Sequence, residues 1–128
     1  MASAIAVRKQ HIIIVISEFT AQISERLLKG AVDAFSHYKG LESHLKIFRV
    51  PGAFEIPGTI KQILHHQKPH AIVALGAVIR GETPHFDFVA GESAHGIAEL
   101  SRNVDIPIIN GIITTENTDQ AMKRSEPG

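Results

Sequence analysis

The chain has 128 residues, 44% of them hydrophobic and 20% charged, with 13 basic side chains cancelled by 13 acidic ones and no cysteine. That length suits one domain, 1–128, around one core, and the apolar content excludes intrinsic disorder. Balanced charge leaves no electrostatic footprint for nucleic acid, and the lack of cysteine excludes disulfides, thiol nucleophiles and thiolate metal sites.

Near the N-terminus, "HIIIVI" is far too short to cross a bilayer, which takes ~20 apolar residues, and it lacks the cleavage signal of a secretory leader. The expectation is a cytoplasmic protein with no membrane partner. Residues 12–16, "IIIVI", form a β-branched run without alternation, the pattern of a strand covered on both faces in a parallel sheet. In "SEFTAQISERLLKGAVDAF", Ile23, Leu27, Ala31 and Phe35 recur four residues apart and predict a helix. "LKIFRV", 45–50, gives a weaker strand signal, and "PGAFEIPG" interrupts it. Ile56, Ile60, Ile63 and Leu64 then return at helical spacing until Pro69.

The third strand lies within 71–79, "AIVALGAVI". A long helix is expected over 86–102, with Phe86, Val89, Ala90, Ala94, Ile97 and Leu100 facing inward. "DIPIINGIITT" supplies a fourth strand around 107–113. Asn117 followed by Gln120 reads as a cap pair opening a last helix. Alternation of strand and helix with continuous apolar strands predicts an α/β fold of three α/β/α layers: a flavodoxin-like, four-stranded parallel sheet.

In such sheets ligands bind beyond the carboxyl ends of the strands. The unusual polar clusters all fall there: "SEFT", "PGAFE", "RGETPH" and "TTENT" after strands one to four. His85 stands before the long helix, and its residue type suits proton transfer near neutrality; capping that helix is the equal alternative. Asp87 fits the helix dipole better than it fits orienting the imidazole. Gly81, Glu82 and Thr83 form a weak anion-cradle signal at the same helix start, while no GxxxxGK[ST] or GxGxxG occurs. Arg80 and Arg124 are the candidate anion ligands, since a guanidinium binds phosphate through two parallel hydrogen bonds. Phe19 suits stacking on a planar ligand or stapling the helix after it. Glu55 suits hydroxyl recognition or a helix start. His65, His66 and His70 read as surface residues at a helix end, without the carboxylates a metal site needs. Ser93 and His95 lie inside the long helix, and "GESAHG" is not the GxSxG of a hydrolase elbow.

With those residues identified, the chain resembles the 6,7-dimethyl-8-ribityllumazine synthase family from "IIIVISEF" to "AMKRS". The motifs that carry the resemblance are "VPGAFEIP", "ALGAVIRGETPHFDFVAGE", "GIAELS" and "GIITTENTDQAMKR". The resemblance implies a condensation without cofactor or metal. A 5-amino-6-ribitylamino-pyrimidinedione and 3,4-dihydroxy-2-butanone 4-phosphate, the two small-molecule substrates, give a lumazine with loss of phosphate. It implies that Phe19 stacks on the pyrimidine and that Ala53, Phe54 and Glu55 hold that substrate, Glu55 at the ribityl hydroxyls. Ala77, Val78 and Ile79 would meet the pyrimidine through backbone groups, and Asn110 would reach it from a neighbouring subunit. Glu82 and Thr83 would line the phosphate pocket, Arg124 would clamp the phosphate, and His85 would transfer protons. Assembly as a pentamer or a sixty-subunit shell, with sites between subunits, follows from the same resemblance.

Three features depart from the family pattern. Glu82 stands where a small residue is common. The chain ends at "RSEPG", short of the family's long C-terminal helix, so one sheet face is expected to be partly bare unless a partner covers it. The N-terminal strand lent to a neighbour is short or altered in "MASAIAVRKQ". Alternatives are an archaeal-type riboflavin synthase, a non-catalytic flavodoxin-like module and a paralogue that kept assembly but lost activity. A signalling receiver would need an aspartate ending strand three, where the sequence reads "AVIRG".

Overall fold

Four parallel strands and their connecting helices make up the described residues, 10–38, 44–81 and 84–126, of this computed structural model. β1 (Ile12–Ser17) leads to α1 (Ala21–His37) and β2 (Leu45–Val50). A 3₁₀ turn (Ala53–Glu55) then runs directly into α2 (Ile56–His66). β3 (Ala71–Ile79), α3 (Phe86–Asn103), β4 (Ile108–Thr115) and α4 (Thr118–Arg124) complete the order. The sheet order is β2-β1-β3-β4 and every pair is parallel. This is the three-layer, flavodoxin-like arrangement that the alternating sequence predicts, with its switch point between β1 and β3.

The β-branched runs become the two central strands because only central strands have both faces covered. Ile13 and Val15 of β1, with Ile72, Ala74 and Val78 of β3, pack against Ile56, Ile60 and Ile63 of α2 and Ile97 of α3. The opposite side chains, Ile14, Ile16 and Leu75, meet Leu28 of α1. Ala77 and Ile79 meet Ile23 of α1 and Ala121 of α4. The edge strands keep apolar groups in solvent: Ile47 of β2 is 40% exposed and Ile109 of β4 is 52% exposed.

Two expectations need correction. Ala94 is exposed, and Ser93 takes the inward position on α3, its hydroxyl donating to the Ala90 carbonyl at 3.2 Å. At 3.6 residues per turn Ser93 lies midway between Phe86, Ala90, Ile97 and Leu100, whereas Ala94 falls to the stripe's margin. β4 also runs two residues past the end of its apolar pattern. Thr114 pairs with Val78 and Thr115 with Ile79, so the neighbouring strand extends the ladder where hydrophobicity has stopped.

A tight contact sits under the carboxyl end of the sheet. A Cβ on Gly76 would lie 2.3 Å from the Ser17 hydroxyl and 3.3 Å from the Ser17 Cβ. Ser17 is buried, and its Oγ has no hydrogen-bond partner among the described residues.

Histidines gather at the other end. The His11 N–H donates to His70 Nδ1 at 2.8 Å, and the His70 N–H donates to the His11 carbonyl at 2.8 Å. The His11 ring stacks on His44 at 4.0 Å and lies 5.9 Å from His70. His65 and His66 occupy the last turn of α2 as expected, but His70 does not: it precedes β3 and ties that strand to β1. Partial desolvation, then the charges of His44, His70 and Lys46, hold the His11 imidazole below its ordinary value.

Gly76→Ala should lower stability by ~1–3 kcal/mol through overpacking. Ser17→Ala in the same chain should recover most of that loss, because it removes the nearest clashing atom. Urea midpoints of the single and double variants check this; additive losses would contradict it. For His11 the unfolded chain binds its proton at a higher pH than the folded chain. Stability therefore falls as pH drops through the imidazole range, below the reference value of ~6.5. His11→Gln should show a smaller loss of urea midpoint between neutral and mildly acidic pH than the parent does.

Candidate active site

Parallel pairing in register brings the carboxyl ends of the strands to one edge, where their loops meet. The chain after β1 is tied to the chain after β2: the Glu18 N–H donates to the Val50 carbonyl at 2.8 Å and the Phe19 N–H to the Pro51 carbonyl at 2.9 Å. Thr20, which follows, adopts φ 62°. That left-handed conformation is strained for a β-branched residue, by an order of 1–3 kcal/mol. Its carbonyl accepts from the Ile23 and Ser24 N–H groups, so the strained residue both ends the Phe19 loop and starts α1.

A hollow of about 200 Å³ opens at this edge, lined by Phe19, Gly52, Ala53, Phe54, Glu55, Ala77, Val78, Ile79 and Val89. Seven of these nine are candidates from the sequence. Phe19 is 51% exposed and Phe54 48% exposed, so neither ring is spent on core packing. Glu55 directly precedes α2 at its N-cap position, and its carboxylate makes no cap bond. A Cβ on Gly52 would come 3.1 Å from Glu55 Oε2, so glycine leaves room for the carboxylate at the hollow. Gly52 and Val89 were not singled out as lining residues; Gly52 was readable only from its place in "PGAFE".

Beside it, a second hollow of about 300 Å³ is lined by Arg80, Pro84, His85, Phe86, Asp87 and Phe88. The Phe54 and Phe88 rings stack at 5.4 Å between residues of the two hollows. Gly81, at φ 91°, makes the left-handed turn out of β3 that a side chain would strain. His85 occupies the N-cap position of α3 without a side-chain cap bond, so the imidazole is not capping the helix. Its carbonyl accepts from the Val89 N–H at 2.8 Å. Phe19 and His85 follow adjacent parallel strands and share the same end of the sheet. Glu82 and Thr83 lie outside the described residues.

The two arginines differ in how their charge is used. Arg80 Nε donates to Glu116 at 2.7 Å, Nη2 contacts Asp87 at 3.4 Å, and its guanidinium lies 4.4 Å from the Phe86 ring centre. The hydrogen bond to Glu116 leads the causes that raise its pKa. Arg80 thus faces two carboxylates, Glu116 and Asp87, beside the hollow that it lines with His85. Arg124, the last residue of α4, donates from Nη1 to the neutral Thr114 carbonyl at 3.0 Å and has no ion pair among the described residues. Its charge is therefore available to an anion.

α4 begins as the cap pair predicts. Asn117 accepts from the Gln120 N–H at 2.9 Å, while the Gln120 carboxamide accepts from the Glu116 N–H at 2.9 Å. Asn110 is exposed on edge strand β4, in register with Ala74, and lines neither hollow. Among the described residues no group of three His, Asp or Glu side chains is arranged to hold a metal ion, and no helix is long and apolar enough to cross a membrane.

The family profile described as 6,7-dimethyl-8-ribityllumazine synthase matches residues 9–128. A protein of that name from Chlorobium luteolum is 42% identical over 122 residues, covering 95% of this chain and 79% of the relative. One from Chlorobium phaeovibrioides is 44% identical over 114 residues, covering 89% and 74%. One from Campylobacter jejuni is 45% identical over 114 residues, with the same coverage of 89% and 74%.

Proposed function

The chain belongs to the 6,7-dimethyl-8-ribityllumazine synthase family, and from that premise we propose that it condenses 5-amino-6-(D-ribitylamino)uracil with 3,4-dihydroxy-2-butanone 4-phosphate. The product is 6,7-dimethyl-8-ribityllumazine, in riboflavin biosynthesis. The observation that carries this reading is the hollow in which Phe19, Ala53–Glu55 and Ala77–Ile79 converge from three separate parts of the chain.

The pyrimidine stacks on Phe19 and meets the backbone of Ala77, Val78 and Ile79. Glu55 accepts hydrogen bonds from the ribityl hydroxyls, since an ionised carboxylate offers acceptors and no donor. The phosphate of the second substrate rests on Arg124, with the backbone at Glu82 and the Thr83 hydroxyl completing the pocket. The 5-amino group of the pyrimidine attacks the ketone and water leaves to give an imine; phosphate is eliminated, the resulting enol tautomerises to a ketone, and the ribitylamino nitrogen closes the ring on that ketone with loss of a second water. Each step moves protons, and His85 serves them from the adjoining hollow. Holding two substrates in register supplies much of the remaining acceleration, up to ~7–11 kcal/mol in favourable cases.

The chain acts as a single cytoplasmic domain in a homo-oligomer, a pentamer or a shell of sixty subunits. Asn110, exposed on an edge strand away from the hollow, supports a contact made to a neighbour's substrate. Apolar Ile109 beside it, 52% exposed, supports burial of this edge by a partner.

Mixing the protein with both substrates should produce lumazine fluorescence with stoichiometric release of phosphate; no product from an assembled, folded protein would sink the reading. Formation of riboflavin from lumazine instead would favour the riboflavin synthase alternative. His85→Ala should lower kcat by about 10²-fold, at the low end for general acid–base catalysis, with KM little changed. Arg124→Ala should raise KM for the phosphorylated substrate by about tenfold or more, the scale of a lost charge-assisted hydrogen bond. Light scattering should give a mass that is a multiple of five protomers, whereas an active monomer on dilution would contradict the shared site.

A further inference from the structure

α4 has seven residues, and a helix of two turns has little stability of its own in water. Its direction must therefore be set by side-chain contacts at its two ends. The N-terminal end is fixed by the Asn117 and Gln120 side chains. The C-terminal end is fixed by Arg26, a residue of α1 nearly a hundred positions earlier in the chain. Arg26 Nε donates to Ser125 Oγ at 3.0 Å, and Nη2 donates to the Met122 carbonyl at 3.0 Å. The Ser125 hydroxyl donates to the same carbonyl at 3.0 Å, and the Ser125 N–H donates to the Ala121 carbonyl at 3.1 Å. Ser125 is 4% exposed and Ala121 0% exposed, while Arg26 and Met122 are half-buried, so this junction is partly shielded from water.

The chemistry suits the place. The last carbonyls of a helix lack intrahelical partners, and a cation there is favoured by the helix dipole. A guanidinium delivers two donors in a fixed fork, which a lysine cannot reproduce. Arg26 holds residues 122 and 125, and Arg124 projects from between them to reach the Thr114 carbonyl.

We propose that Arg26 is a positioning residue for substrate binding: by clamping the end of α4 it aims the Arg124 guanidinium at the phosphate of the four-carbon substrate. The inference rests on the reading of Arg124 given above. Arg26 does not touch the substrate, and its own donors are engaged by Ser125 and Met122.

The test is steady-state kinetics of the full chain, varying each substrate separately, for Arg26→Met, Arg26→Lys, Ser125→Ala, Arg124→Ala and Arg26→Met/Arg124→Ala. Methionine keeps the apolar stem and removes the fork. Arg26→Met should raise KM for the phosphorylated substrate by about tenfold, a fraction of the range for losing charged hydrogen bonds, and weaken inhibition by inorganic phosphate in parallel. Its kcat and its KM for the pyrimidine should stay within about twofold. Arg26→Lys should recover part of the loss. Ser125→Ala, a milder change should Arg26→Met fail to fold, should move the same KM in the same direction by less. The double variant should be no worse than Arg124→Ala alone, because both changes remove one function.

Additive effects in the double variant, or equal losses toward both substrates, would reduce Arg26 to a general stabiliser and overturn the inference. An unchanged KM in Arg26→Met and Ser125→Ala, with a raised KM in Arg124→Ala, would overturn it while leaving the phosphate reading intact. An unchanged KM in Arg124→Ala would remove that reading, and this inference with it.

Discussion

Parallel pairing of β1 with β3 is the constraint on which the rest of the molecule depends. Ile12 to Ile16 lie in register with Ala71 to Leu75, so the chain leaves both strands at the same edge of the sheet. β2 and β4 join on either side in the same direction. Four loops separated by tens of residues thereby meet without any loop being long. The β-branched residues of the two central strands enforce this arrangement, because they are satisfied only when helices cover both faces. Burial in the centre of the sheet and chemistry at its edge are consequences of one topology.

The edge is then divided by how each polar group is employed. The Glu18 and Phe19 amides are spent on the chain after β2, which closes one wall of the hollow. Arg80 and Glu116 join the chain after β3 to the chain after β4, with Asp87 as a weaker third member. These ion pairs are exposed and each is worth little in stability, of the order of 0–1 kcal/mol. Their larger effect is to turn the Arg80 guanidinium toward carboxylates, whereas Arg124 has no ion pair among the described residues. A charge that can be neutralised only by something outside the described residues is what an anionic substrate requires.

Much of this was legible in the sequence, for physical reasons that differ by element. "IIIVI" and "AIVALGAVI" announced central strands because their apolar runs lack alternation. Phe19, the "PGAFE" turn and Ala77 to Ile79 were legible as neighbours because strand ends in a parallel sheet must share an edge. Hydrophobic periodicity could not report the last two residues of β4, where threonines are held by the ladder to Val78 and Ile79. It misjudged Ala94 because composition alone does not distinguish an alanine at the margin of a stripe from a serine at its centre. The choice between Arg80 and Arg124 was not legible at all, since it depends on carboxylates 7 and 36 residues away. The Arg26 clamp was hidden for the same reason, its partners lying 96 and 99 residues along the chain.

The most direct measurement is a crystal structure of the protein soaked with the ribitylamino pyrimidine and inorganic phosphate. The pyrimidine ring is expected face to face with Phe19, its edge on the backbone of 77–79 and its ribityl chain at Glu55, with phosphate at Arg124. A pyrimidine bound at the histidine end of the sheet, or phosphate held by Arg80 with Arg124 turned to solvent, would contradict this arrangement.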